Sequence, residues 1–311
     1  MMQSRRTSRE TVEGGEIMPR PFRFGVNLTR PTPAAEWRAT CRRAEDLGYD
    51  VLLVPDHLGT VAPFPALVAA AQATSRPRVG TFVLNAGFWN PVLLAREAAT
   101  VDALTDGRLE LGLGTGYVRE EHERARLPFG SAGERVDRLR RTVEELDRLL
   151  GSEEHLPRPV QRRVPLLIGA NGDRMLRLTA RHADIAAFTA ARSAPGSATG
   201  LLPLDAEELD ERVTLYRKLA ADRAEPAELN LLLQIVAVTD DPEAVLRPLL
   251  EHVPGLTLEQ ARELPAILVG PLEQLVEQVR ELRDRYGFTY LTVLEPYMED
   301  FAQVMARLRE A

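Results

Sequence analysis

The sequence predicts an α/β fold, a (β/α)8 TIM barrel with insertions. Three observations carry this expectation. One unit recurs along the chain: an apolar strand, a loop, an amphipathic helix, a short stop and the next strand. The strand segments number eight, the count that closes a barrel. Several of them, above all DVLLV at 50–54, are continuous apolar runs of the type buried on both faces of a parallel sheet. The rival, an open doubly wound sheet, usually has fewer strands and a nucleotide fingerprint after the first, and none follows residue 27.

The elements follow in order. A first strand is expected over 22–27, then a helix over 33–47 that Gly48 stops. The second strand is DVLLV, a helix covers 66–74, and the third strand covers 79–84. Pro91 opens a helix at its first turn, and Asp106-Gly107 closes it. The fourth strand is expected over 109–113. Ser131 and Glu134 form a capping-box pattern ahead of Val136, Leu139, Val143, Leu146 and Leu150, an apolar stripe at helical spacing. The fifth and sixth strands fall at 165–168 and 184–188, on either side of a helix over 173–182. Residues 189–203 are rich in Ser, Ala and Gly and read as a mobile loop, with a helix over 205–221 after them. The seventh strand is expected over 230–238, with helical segments from Pro242 onward. Pro271 opens the helix carrying Leu272, Leu275, Val276, Val279 and Leu282, and Gly287 stops it. The eighth strand covers 290–294 and a last helix 300–309.

The 311 residues suit one large domain or two modest ones. The reading is a disordered leader over 1–20 and a single barrel domain over 21–311, with Met18 as an alternative start. The leader lacks an apolar segment and does not read as a secretory signal. A net charge of −7 argues against a nucleic-acid or acidic-membrane partner. No apolar run approaches the ~18 residues that would span a bilayer. Lone Cys41 excludes an internal disulfide and makes a thiolate metal cluster implausible. With Trp37, Ala44 and Leu47 it forms a helical stripe, so it reads as core, and a reducing cytoplasm fits. His122, His155, His182 and His252 are scattered, and neither a His-x-His nor a His-Glu-x-x-His pair exists, so no metal site is expected.

A barrel gathers whatever follows the carboxyl end of each strand at one mouth. Here that set is Asn27; Pro55, Asp56 and His57; Asn85; Gly114 to Tyr117; Gly169 to Gly172; and Glu295 with Pro296. Gly114, Thr115, Gly116 and Tyr117 end the stretch TDGRLELGLGTGY. It fails the dinucleotide fingerprint, because Tyr117 stands where the third glycine belongs. It also fails the phosphate loop of nucleotide triphosphatases, because the chain's one lysine is Lys218. A tight turn and a ligand loop both remain open for it. Gly169, Ala170, Asn171 and Gly172 precede a helix, where free amides and the helix dipole favour an anion. The plainer reading makes Asn171 or Asp173 an ordinary N-cap. Asp56-His57 is either an acid-base pair or a satisfied loop histidine. Arg119, Glu120 and Glu121 are within reach of the mouth, but a charged cluster at a helix start is more often a solvated face, and that is the reading taken.

At this point the residues carry a resemblance. The segments AEDLGYDVLLVPDH, VGTFVLNAGFWNPVLLAREAATVDALTDGRLELGLGTGY, LLIGANGDRMLRLTARHADIAAF and LVGPLEQLVEQVRELRDRYGFTYLTV are similar to the luciferase-like monooxygenase superfamily. Within it they resemble the coenzyme F420-dependent oxidoreductases, and together they cover most of 21–308. The resemblance implies a deazaflavin cofactor, F420, at the carboxyl-terminal mouth, with FMN as the alternative. It implies a non-proline cis peptide at Phe82–Val83 behind the ring, and a phosphate-bearing tail held by Gly114 to Tyr117 and Gly169 to Gly172. Asn85 is counted with these cofactor contacts. It also implies that Asp56 and His57 lie near the reacting ring edge.

The reaction so implied is hydride transfer between F420 and a small organic substrate. His57 is general acid or base, and Asp56 orients it or contacts the cofactor. Sugar-phosphate dehydrogenases of this superfamily have a glutamate where this chain has Tyr117, and an aromatic residue shortly after the Asp-His pair, where Leu58, Gly59 and Thr60 stand here. Both departures speak against a sugar-phosphate substrate. A reduced-FMN monooxygenase and a non-catalytic flavin-binding protein are the competing readings. The expected partner is a small molecule, with neither nucleic acid nor membrane. Similar proteins suggest a homodimer, although the sequence shows no interface signature.

Overall fold

The computed structural model describes residues 20–194, 201–253 and 255–310. The expected leader lies outside the described residues, except for Arg20. Eight parallel staves close into a barrel. Strands β1 (Arg23–Asn27), β2 (Val51–Val54) and β3 (Arg78–Thr81) begin it. The short β4 (Leu84–Asn85) continues the β3 stave beyond a break. Next come β5 (Leu109–Gly114), β6 (Leu166–Gly169) and β7 (Ile185–Phe188). A hairpin of β8 (Ala191–Ser193) and β9 (Leu201–Pro203) intervenes. Then follow β10 (Glu228–Leu233), β11 (Ile235–Val238), β12 (Ile267–Gly270) and β13 (Phe288–Leu294). The ring runs β3-β2-β1-β13-β10-β7-β6-β5, and β3 pairs with β5 to close it.

The apolar runs work as two-faced strands because successive side chains alternate. In β2, Leu52 and Val54 enter the layer between barrel and helices, while Val51 and Leu53 enter the barrel interior. All four are fully buried. The interior cluster also holds Phe82, Leu167, Ile185, Ala187, Leu232 and Tyr290, with Val83 and Leu294 packed partly buried against it. At the amino ends of the strands the interior turns polar. Arg23 pairs with Glu110 and, at 2.5 Å, with Glu228, while Arg78 reaches Glu110 at 2.7 Å. This charged floor seals one end and leaves the carboxyl ends as the mouth.

Local signals work where expected. Ser131 and Glu134 form a reciprocal capping box on helix Ala132–Leu150. Asn90 caps helix Pro91–Leu104 ahead of its opening proline. Gly287 sits left-handed (φ 78°) at the end of helix Leu272–Tyr286. Cys41 is fully buried in the core, and burial pushes its thiol up to about 12.

Two expectations are corrected. The apolar run over 230–238 is two strands, because Gln234 breaks it: its amide donates to Ala266 and its side chain to Thr189. β10 stays in the barrel, while β11 leaves to pair with β12 in a separate two-stranded parallel sheet. That sheet has its own small core, around Leu246, Ala261, Leu264, Ile267 and Val269. The stretch expected as a mobile loop over 189–203 carries the antiparallel β8–β9 hairpin, and 195–200 lie outside the described residues.

Candidate active site

The mouth is built around an interruption in the third stave. Phe82–Val83 is a cis peptide, as expected, and it separates β3 from β4. Asn85, at the end of β4, is buried and fully used. Its amide donates to Asp56 Oδ2 (3.1 Å), its Oδ1 accepts from Gly87 N (2.9 Å), and its Nδ2 lies 2.9 Å from His122 Nε2. Asp56 Oδ2 also accepts from Trp89 Nε1 at 2.9 Å. Burial raises the Asp56 pKa above the usual carboxylate range, and the Trp89 and Asn85 donors oppose it. Asp56 therefore pins the segment after the third stave.

His57 is oriented by a different carboxylate. Its Nδ1 lies 2.9 Å from Glu121 Oε1, and the same oxygen accepts from Leu58 N at 3.2 Å. A carboxylate only accepts, so Nδ1 carries the proton and Nε2 of the neutral ring is the free basic nitrogen. The Tyr117 ring meets His57 edge-on, with centroids 5.7 Å apart. The expectation that Asp56 orients His57 is thus corrected: Glu121 does.

Glu121, read from the sequence as part of a solvated helix start, is instead buried against His57. One signal was available. Helix Arg119–Ala125 reads REEHERA and has no apolar face, so whatever face it packs inward must be polar. That face is Glu121 and His122, both buried. His122 Nδ1 donates to Pro128 O at 3.2 Å, which leaves Nε2 to accept from Asn85. Burial holds the His122 pKa below its ordinary value.

The two glycine-rich turns differ in kind. Gly112, Gly114 and Gly116 answer to the chain's own packing. A Cβ on Gly112 would fall 1.9 Å from Thr81 O, on Gly114 2.6 Å from Val83, and on Gly116 2.2 Å from Asn85 Oδ1. Gly116 also has φ +70°. By contrast, a Cβ on Gly169 or Gly172 would meet nothing within 4 Å, so this turn is an open cradle. The expected N-cap, Asn171 or Asp173, is corrected as well. Gly172 is the N-cap of helix Asp173–His182, without any side-chain cap. Asn171 Oδ1 instead accepts from Thr189 (2.9 Å), and Asp173 pairs with Arg212. The Ala170 amide is spent on Ala187 O. The uncapped first-turn amides and the open glycines suit an anion such as a phosphate. Asn27 Oδ1, at the end of β1, is buried without a hydrogen-bond partner. Glu295 is not free: it accepts from Thr29 N and Arg30 N and pairs with Arg30.

The structure therefore joins Asp56, His57, Asn85 and the 114–117 turn through direct contacts. It sets Gly169 on the adjoining stave, where Leu113 pairs with Ile168. Among the described residues, no hydrogen bond or ion pair joins the 169–172 turn to His57. A cavity of about 410 Å³ opens beside Asp56 and His57, walled largely by apolar and aromatic side chains. Among the described residues, no group of three or more His, Cys, Asp or Glu could hold a metal ion, and no helix is long and apolar enough to cross a membrane.

Comparison with known proteins agrees with this architecture. An F420-dependent glucose-6-phosphate dehydrogenase of Intrasporangium calvum is 29% identical over 306 residues, covering 82% of this chain and 86% of the relative. An F420-dependent secondary alcohol dehydrogenase, in complex with an F420-acetone adduct, superposes with a TM-score of 0.75 at 16% identity, covering 93% of this chain and 100% of the other. A long-chain alkane monooxygenase superposes with a TM-score of 0.73 at 14% identity, covering 94% and 92% of the two chains. The sequence model of the luciferase-like monooxygenase family matches residues 18–290, and the chain belongs to that family of enzymes.

Proposed function

We propose that this enzyme is an F420-dependent oxidoreductase that transfers a hydride between the deazaflavin and a small organic substrate. The observation that carries the reading is the His57–Glu121 pair. It fixes an imidazole at the rim with Nε2 free, as proton transfer requires. F420-dependent relatives across most of the chain support the choice of cofactor.

A bound deazaflavin supplies or receives a hydride. The chain's residues do the rest. Gly169, Asn171, Gly172 and the first amides of the following helix would receive the phosphate of its tail, while Ala170, its amide bonded to Ala187 O, anchors the turn. Phe82 and Val83 would back the ring, with Asp56, Asn85, Gly114, Thr115, Gly116 and Tyr117 completing that side. His57 Nε2 gives a proton to the substrate heteroatom when the substrate is reduced and takes it back when it is oxidised. Glu121 holds the ring orientation by accepting from Nδ1. Asp56 acts as a positioning residue for Asn85 and Trp89.

The test is titration of purified protein with oxidised F420 and, separately, with FMN, followed by fluorescence. F420 binding much tighter than FMN binding, without oxygen consumption, is the expected result. Tight FMN binding with oxygen uptake in the presence of a flavin reductase would assign the chain to the monooxygenases instead.

A further inference from the structure

We propose that the cavity beside His57 takes an uncharged, largely hydrocarbon molecule that presents one hydrogen-bonding oxygen. This rests on the reading of His57 as the proton-transfer residue. The cavity, about 410 Å³, is large enough for a small ring compound. Phe64 and Trp89 form one wall, their rings T-shaped with centroids 5.1 Å apart, and Phe88 extends it. Leu58 and Leu127, at 39% and 36% exposure, form an apolar lip.

The polar side chains of the wall are Asp56, His57 and Thr60, and none is an arginine or lysine. Two of them are already engaged. The Thr60 hydroxyl donates to His57 O at 2.9 Å, and Asp56 Oδ2 holds Asn85 and Trp89. Asp56 and the Thr60 oxygen can only accept, so His57 Nε2, which accepts from a ligand hydroxyl in the neutral ring and donates to a carbonyl in the protonated ring, is the group able to meet either kind of ligand oxygen. A phosphate or carboxylate entering here would find Asp56 in the wall and Glu121 behind His57. With no arginine or lysine in the wall, its desolvation would go uncompensated. A neutral ketone, aldehyde or alcohol meets neither penalty and gains from burial of its carbon frame.

The probe is Prodan, an uncharged naphthalene ketone whose emission shifts to the blue in apolar surroundings. It is titrated into the full-length protein without cofactor. Saturable one-to-one binding is expected, with quenching of Trp89, displacement by cyclohexanone and no displacement by glucose 6-phosphate. L127E and A125E place a carboxylate at the exposed lip and should each weaken Prodan about tenfold or more. F420 affinity in both variants should match the parent. Displacement by glucose 6-phosphate, absence of saturable binding, or unchanged Prodan affinity in both variants would overturn the proposal. Such a result with F420 binding intact would leave the cofactor reading standing. Failure to bind F420, with Prodan behaving as expected, would remove the cofactor reading alone.

Discussion

With Nδ1 of His57 committed to Glu121, the proton transfer proposed for this residue runs through Nε2. His57→Ala removes it, and turnover should fall by about 10²–10⁴, the usual range for positioned acid-base groups. F420 affinity, measured by fluorescence titration, should stay near the parent value. An unchanged turnover would take the proton role from His57. Glu121→Gln keeps the side chain's shape but replaces the carboxylate that accepts from Nδ1 with a neutral amide, so turnover should fall by a smaller factor. His122 supplies a different readout. Burial holds its folded-state pKa below the ordinary 6.5. The unfolded chain therefore takes up the proton first. His122 contributes stability that is present above pH ~6.5 and lost as pH falls from there toward the folded value. In thermal melts from about pH 7.5 to about pH 5, H122Q should lose less stability than the parent over the same interval. Parallel curves would show that His122 does not titrate differently in the two states.

At the scale of elements, the two glycine turns should respond in opposite ways. Gly116 lies against Asn85, which cannot yield because Gly87 and His122 hold both ends of its amide. Gly116→Ala also asks a side chain to adopt φ +70°, and should cost about 1–3 kcal/mol in urea unfolding. Gly172 has an ordinary extended backbone (φ −100°, ψ 162°) and open space around it. Gly172→Asp should cap the helix and stabilise the protein by a few tenths to about 1 kcal/mol. The same carboxylate would repel a phosphate in the cradle, so F420 affinity should drop. Improved stability with unaltered affinity would remove the 169–172 turn as the phosphate site. This contrast was not legible in the sequence, where both turns read alike. Seven of the eight barrel strands were legible, because their apolar runs end at turn or cap signals. Gln234 was not, since a single polar residue inside LLLQIVAV does not interrupt an apolar pattern enough to mark a change of sheet. Glu121 was hidden for a related reason: a buried carboxylate is recognised by its partner, and His57 lies 64 residues away.

For the whole molecule, the barrel separates a polar working end from a charged structural end. The interior between them is largely apolar, from Val51 and Ile185 up to Phe82 and Leu294, with Asn230 and Thr292 hydrogen-bonded to each other (2.8 Å) within it. Thr81 and Gly112 help to close the ring, each bonded to the other at 2.8 Å through the Thr81 hydroxyl. At the floor, Glu110 is nearly fully buried between Arg23 and Arg78 and is the shared anion of both. Arg23 also stacks over the Tyr290 ring, 4.6 Å from its centroid. Glu228 is the remaining carboxylate on Arg23, and burial raises its pKa despite that guanidinium. Glu110→Ala would therefore leave Arg78 without its ion-pair partner and Arg23 with one partner, at a partly buried site. Breaking a buried pair costs about 3–5 kcal/mol, and the loss here should fall at or below the low end, because Arg23 keeps Glu228 and Arg78 keeps its bonds to Leu109 O and Gln161. The urea midpoint should fall accordingly. Under conditions where the variant is folded, its F420 affinity and turnover should equal those of the parent, because the floor and the His57 rim lie at opposite ends of the strands. A loss of turnover with stability unchanged would mean that the floor is coupled to the mouth through the packed interior.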